Sequence, residues 1–205
     1  MIRKDVPALS GGYNRNGSDT MPDANITKNA LASSMKKLMK EKAFSKISVI
    51  DICEGCGMNR KSFYYHFKDK YDLVNWIFYM DFIGLVNTKQ YQNGWDLLVS
   101  VGELFYRDQE FYRAALKIEG QNSFSEYFHE SMTPIVSFFL RDICDVDEDA
   151  DQEIFITFFC DAYLAAVVHW LEDGCQMRPE EFIGNLKKMI LGIARQIQKE
   201  EAEAG

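Results

Sequence analysis

Histidine is scarce in this chain: only three, His66, His129 and His169, are spread through 205 residues. That leaves too few imidazoles for a convincing metal cluster, and no metal site is expected. Cysteine occurs five times, an odd count, at Cys53, Cys56, Cys144, Cys160 and Cys175. Most of these lie inside apolar helical patterns, so reduced thiols in a cytoplasmic protein are expected rather than a disulfide framework. No run of about 18 uncharged apolar residues appears, and no membrane-spanning helix is expected. The opening MIRKDVPALSGG lacks the apolar stretch of a signal peptide. There is no alternating strand pattern of useful length and no internal repeat. Nucleophile elbow, glycine-rich phosphate loop and metal-ligand spacing are all missing. Those absences argue against an enzyme, and no cofactor is expected.

Net positive charge is also lacking: the formal charge is −8. Taken alone, that speaks against a nucleic-acid binder. Its distribution reverses the argument. Residues 26–75 carry 10 Lys/Arg against 5 Asp/Glu, a net of +5. Residues 76–205 carry 10 against 23, a net of −13. A small basic module joined to a large acidic body suits a protein that meets phosphate at one end.

Apolar periodicity predicts an all-α fold. Residues 1–24 are rich in Gly, Pro, Asn, Asp and Ser and read as a flexible arm, where Arg3, Lys4 and Arg15 are the basic residues. Residues 25–72 read as a three-helix helix-turn-helix domain, and 73–205 as a larger helical dimerisation and ligand domain. In the first helix Ile26, Ala30, Leu31, Met35, Leu38 and Met39 share a face. Ser48 with Asp51 forms a capping box for the second helix, whose inner side is assigned Ile47, Ile50 and Cys53. Gly57 ends it. Asn59 caps a short third helix to about Phe67, and Asp69 with Asp72 opens a fourth that reaches about Val86. Further helices are expected over 95–106, 109–117, 123–142, 152–171 and 179–199, with the acidic DVDEDAD between two of them.

The chemistry concentrates in Asn59-Arg60-Lys61-Ser62-Phe63-Tyr64-Tyr65-His66-Phe67. Phe63 and Phe67 are four apart, so they should face inward together. Arg60, Lys61, Ser62, Tyr64, Tyr65 and His66 remain for DNA. Arg60 and Lys61 suit guanine edges or phosphate. The tyrosines offer hydroxyls to phosphate and rings to sugar or a thymine methyl. A capped N-terminus favours phosphate. Ser48 and Lys70 are placed to reach the flanking DNA backbone.

This string resembles the DNA-binding domain of the TetR/AcrR transcriptional regulators, over roughly Ile26 to Ile77. The features are an Ile-x-x-Ile-Cys second helix, Gly57 in the turn, Ser62-Phe63-Tyr64-Tyr65-His66-Phe67, and Lys70 with Leu73. The resemblance implies an all-helical homodimer that binds double-stranded, pseudo-palindromic operator DNA as a ligand-responsive repressor. It places Tyr64, His66 and Lys70 on phosphate, and Arg60, Lys61, Ser62 and Tyr65 at base- or backbone-reading positions. GWDLLVSVGELFYRDQEFYRAAL, GQNSFSEYF and HWLEDG resemble a subgroup of that family that includes a co-activator of dihydroxyacetone kinase genes. The alternative that follows is a co-activator, or a protein-interaction module that regulates through a partner.

Cys53-x-x-Cys56 reads as packing, with a thiol sensor as the other reading. Phe105, Tyr127, Tyr163, His169 and Trp170 are candidates to border a pocket for a small-molecule effector. Phe155, Phe159, Ala162, Ala166, Ile183, Ile190 and Ile197 are candidates for the dimer interface.

Overall fold

The computed structural model describes residues 22–88, 91–119, 123–143 and 152–204. Among them are nine α-helices and no strand: α1 Pro22–Glu41, α2 Val49–Glu54, α3 Arg60–His66, α4 Lys70–Thr88, α5 Gly94–Arg107, α6 Gln109–Ala115, α7 Phe124–Ile143, α8 Gln152–Glu172 and α9 Pro179–Ala204. One 3-10 turn, Phe44–Lys46, joins α1 to α2. Helix α1 starts at Pro22, a residue suited to a first turn, so the end of the expected arm is already helical. Arg3, Lys4, Arg15, Cys144 and the DVDEDAD segment lie outside the described residues.

The head is α1 to α3 packed on the start of α4. Leu31, Met35, Ile47, Ile52, Cys53, Phe63 and Phe67 are buried together. Phe63 and Phe67 do share the inward face. Ile50 does not: it stays 47% exposed. A helix as short as α2 buries only one narrow side, and Ile52 and Cys53 occupy it.

Two glycines shape the turn. Gly57 has φ +69°, a left-handed conformation that side chains rarely adopt. Gly55 lies where α2 meets α1, and a β-carbon there would collide with the Ser34 hydroxyl. That hydroxyl is buried and donates to the Ile52 carbonyl at 2.8 Å.

Helix α4 belongs to both halves. Its first turns pack on the head, where Trp76 meets Phe67 edge-on at 5.5 Å. Its middle enters the body. There Phe78, fully buried, is ringed by Phe82, Phe105, Tyr112, Phe124, Tyr127 and Phe128 at 5.4–6.4 Å. A polar link crosses the same seam. Lys36 of α1 bridges Asp81 of α4 at 3.1 Å and Asp108, before α6, at 2.6 Å. The buried Tyr112 hydroxyl donates to Asp81 at 3.0 Å. Burial away from water pushes its pKa well up, so it acts as a fixed donor.

Helix α8 is long and apolar enough, by length and composition, to cross a membrane, unlike the expectation from uncharged runs. In the structure it packs within the body, burying Ile156, Phe159, Cys160, Tyr163, Val167, Trp170 and Leu171, while Glu153, Asp161 and His169 are exposed.

Candidate nucleic-acid interface

The surface begins with α2. Its N-cap Ser48 accepts a hydrogen bond from the Asp51 N–H, and the Asp51 carboxylate accepts from the Ser48 N–H at 2.7 Å. These bonds from Ser48, with Lys42 nearby, hold the Asp51 pKa down at about 2. The expected capping box is therefore in place, and it leaves Ser48 exposed at the start of α2.

Helix α3 follows after four residues. Asn59 caps it, its side-chain oxygen accepting from the Ser62 N–H at 2.9 Å. Phe63 is fully buried and anchors the helix. The remaining side chains stand on the outside. Arg60, Lys61, Tyr64 and Tyr65 are exposed, Tyr65 to 79% and Tyr64 to 51%. Large aromatic side chains seldom sit so open without a partner surface. Ser62 and His66 are half-buried. The Arg60 guanidinium lies 5.8 Å from the Tyr64 ring, and Tyr65 meets His66 edge-on at 4.9 Å. The helix thus presents a continuous row of donors and rings on one rigid element.

Lys70 is placed differently from the expectation. Its ammonium turns inward and donates to the carbonyls of Phe44 and Ile47, each at 2.8 Å. Two exposed lysines that sequence reasoning passed over, Lys46 and Lys68, flank the surface. Their only signal was charge, which single lysines share with any solvated face.

The thiol pair shows no activation. Cys53 is buried and Cys56 half-buried, and both are free. Burial raises both pKa values, which keeps the less reactive thiol form. Cys56 Sγ donates to the Ile52 and Cys53 carbonyls at 3.4 and 3.5 Å. The pair packs the turn. Among the described residues no cluster of His, Cys, Asp and Glu is arranged to hold a metal.

The candidate pocket residues do not come together around one space. Phe105, Tyr163 and Trp170 are core residues, Tyr127 is half-buried, and His169 is exposed. Trp170 stacks on Phe182 at 4.7 Å and donates its indole N–H to the Met177 carbonyl. A crevice of about 360 Å³ lies instead at the head–body seam, between Phe44 and Tyr71 on one side and Ala114 and Ile118 on the other.

The interface candidates also divide. Phe159 and Ile183 are buried in the chain's own core. Phe155, Ala166 and Ile190 are half-buried, and Ala162 is exposed. The side chain of Ile197 lies outside the described residues. The apolar side chains left open are Ile154 and Phe158 on α8 and Met189 and Ile193 on α9.

A capped, outward-facing basic-aromatic helix on a three-helix head, carried by a larger helical body, defines a helix-turn-helix regulator. Residues 34–77 match the family described as bacterial regulatory proteins, tetR family, and residues 95–192 match a transcriptional regulator C-terminal region of the same family. The chain belongs to the TetR family of DNA-binding transcriptional regulators.

One relative is the HTH-type dhaKLM operon transcriptional activator DhaS of Lactococcus lactis subsp. lactis (strain IL1403), 33% identical over 105 residues. That match spans 50% of this chain and 54% of the relative. Among solved structures, the dihydroxyacetone kinase operon activator DhaS shares the fold at TM-score 0.63 and 23% identity, over 82% of this chain and 96% of that one. A TetR transcriptional regulator from Streptococcus agalactiae 2603V does so at TM-score 0.66 and 21% identity, over 82% and 95%. NalD, the secondary repressor of the MexAB-OprM efflux pump in Pseudomonas aeruginosa, does so at TM-score 0.59 and 15%, over 83% and 96%.

Proposed function

We propose that this protein is a cytoplasmic, homodimeric regulator that reads a pseudo-palindromic operator by inserting α3 of each protomer into successive major grooves. The observation that carries this reading is the exposure of Tyr64 and Tyr65 beside Arg60 and Lys61 on a helix anchored by the buried Phe63. Ser48, Asn59, Ser62 and His66 complete the contact surface. Phosphate contacts supply affinity, and Arg60 or Lys61 supplies part of the sequence choice. Helix α3 has only seven residues, so one copy offers few contacts, and two-fold pairing doubles them.

The pairing surface of this proposal is the open apolar stripe of α8 and α9. Ile154 and Phe158, four apart, share a face of α8; Met189 and Ile193 do the same on α9. Exposed Ala162 and Ala165 keep the α8 stripe low enough for close approach. An effector acting on the body would move the heads through α4, because α4 packs on both. The relatives include an activator and a repressor, so either sign of control is compatible with the architecture.

The test is binding of purified protein to duplexes selected from a random pool. Tyr64→Ala should weaken all sequences alike. Arg60→Ala should also relax base preference, by roughly 1–3 kcal/mol where it pairs with guanine. Unaltered affinity in both variants would refute the assignment. Phe158→Asp should turn a dimer into a monomer in sedimentation; a variant that stays dimeric rules out the α8 stripe. Binding that appears only with a second regulator present would favour the co-activator reading.

A further inference from the structure

The link between α1 and α2 is short and irregular. After Glu41 the chain makes the turn Phe44–Lys46, reaches Ile47, and restarts at the N-cap Ser48. Within it the Ile47 N–H donates to the Phe44 carbonyl at 3.0 Å. The Ile47 carbonyl points out of the turn, and both carbonyls face the start of α4. There Asp69 caps the helix, accepting from the Tyr71 and Asp72 N–H groups at 2.8 and 2.9 Å. Lys70 is the first helical residue, so its backbone is held from the moment α4 begins.

We infer that Lys70 is a positioning residue for DNA binding: its ammonium ties the two ends of the Phe44–Lys46 turn to α4, and so fixes the entry of α2 and the angle at which α3 meets DNA. It reaches the Phe44 and Ile47 carbonyls at 2.8 Å each, one bond at either end of the turn. Two of its three donors are thereby committed. The charge also sits 4.3 Å from the centre of the Phe44 ring. The Phe44 ring is itself held edge-on by Tyr71 at 4.9 Å, so the clamp closes on both sides of α4's first turn. Partial burial lowers the Lys70 pKa, and the two carbonyl oxygens are what stabilise its charge there.

Contact with a DNA phosphate would require this ammonium to abandon both carbonyls. The Ile47 carbonyl immediately precedes Ser48, the cap of α2. Loosening it loosens the element against which α3 is packed.

The inference rests on the regulator reading, and its test separates the two. Full-length protein is titrated on a mixed-sequence duplex over a series of KCl concentrations. Each phosphate neutralised contributes about 0.9 to the slope of log affinity against log salt. Lys61→Ala should lose about that much slope. Lys70→Met, which keeps the stem and removes the donors, should bind about tenfold more weakly at every salt concentration with the wild-type slope. In the protein without DNA, amide hydrogens of α2 should exchange faster in Lys70→Met than in wild type.

A slope reduced as in Lys61→Ala, or unchanged α2 exchange, overturns the inference. Wild-type protein that shows no salt-dependent binding overturns the regulator reading instead, while the exchange result still decides the role of Lys70. Should Lys70→Met fail to fold, amine labelling of wild-type protein settles the matter. DNA should protect Lys61 strongly and leave Lys70 labelling unchanged. Strong protection of Lys70 would place it on phosphate.

Discussion

Tyrosine does opposite work in the two halves of this molecule. In the head, Tyr64 and Tyr65 stand open on α3. In the body, Tyr112 and Tyr163 are almost wholly enclosed, and burial drives both hydroxyl pKa values upward. The residue type is the same; the surroundings decide its use. A seven-residue helix can bury one narrow side, so α3 spends Phe63 on the core and leaves its rings outside. The body has longer helices that enclose rings from several directions. The head is therefore a contact surface on a small core, and the body is a large core with an apolar stripe on its exterior. Helix α4 joins them, anchored in the body by Phe78 and tied to the head by Lys70.

The largest effect is expected where the body core is densest. Phe78→Ala should cost about 3–5 kcal/mol of stability, read as a lower denaturant midpoint, because it empties the centre of the aromatic cluster. A cost below about 1 kcal/mol would mean that the cluster collapses around the gap and that head and body differ less in packing than they appear in structure.

Next is the seam. Lys36→Met should destabilise by about 1–2 kcal/mol, since it strands Asp81 and Asp108 beside each other. The figure is discounted because these carboxylates are about a quarter exposed. In addition, hydrogen exchange should rise along α1 and α6 together. A rise confined to α1 would show that the halves are joined by α4 alone.

The smallest effect lies at the α2 cap. Asp51 titrates at about 2, below its ordinary 3.8, because it accepts from Ser48. A depressed carboxylate contributes stability above its ordinary pKa, and that contribution is lost as pH falls through the folded value. The cap should therefore hold at neutral pH and weaken only in strong acid. Ser48→Ala should move the Asp51 midpoint back toward 3.8, as followed by carboxyl NMR. A midpoint that stays at about 2 would assign the shift to Lys42 instead.

Much of this was legible in the chain. Caps are local: Ser48 with Asp51, Asn59, and Asp69 each sit a few residues from the N–H they accept, so spacing alone reveals them. The inward pairing of Phe63 and Phe67 follows from helix geometry. Ile50 was misplaced because periodicity over six residues does not define a face. The fates of Phe159 and Ile183 were hidden because burial inside one chain and burial between two chains produce the same apolar spacing. Gly55 carried a faint signal in Gly55-Cys56-Gly57, but the obstacle to a larger residue, Ser34, lies far back in the chain.

Periodicity, capping residues and the segregation of charge were enough to determine an all-helical chain with a basic reading head, because each depends on neighbours within a turn or two. Only the tertiary structure decided where long side chains end. Lys36 and Lys70 look like ordinary solvated charges in the sequence, yet each crosses to groups more than twenty residues away. A flexible side chain chooses its partner by what the fold brings within reach, and that choice is not encoded in its immediate surroundings.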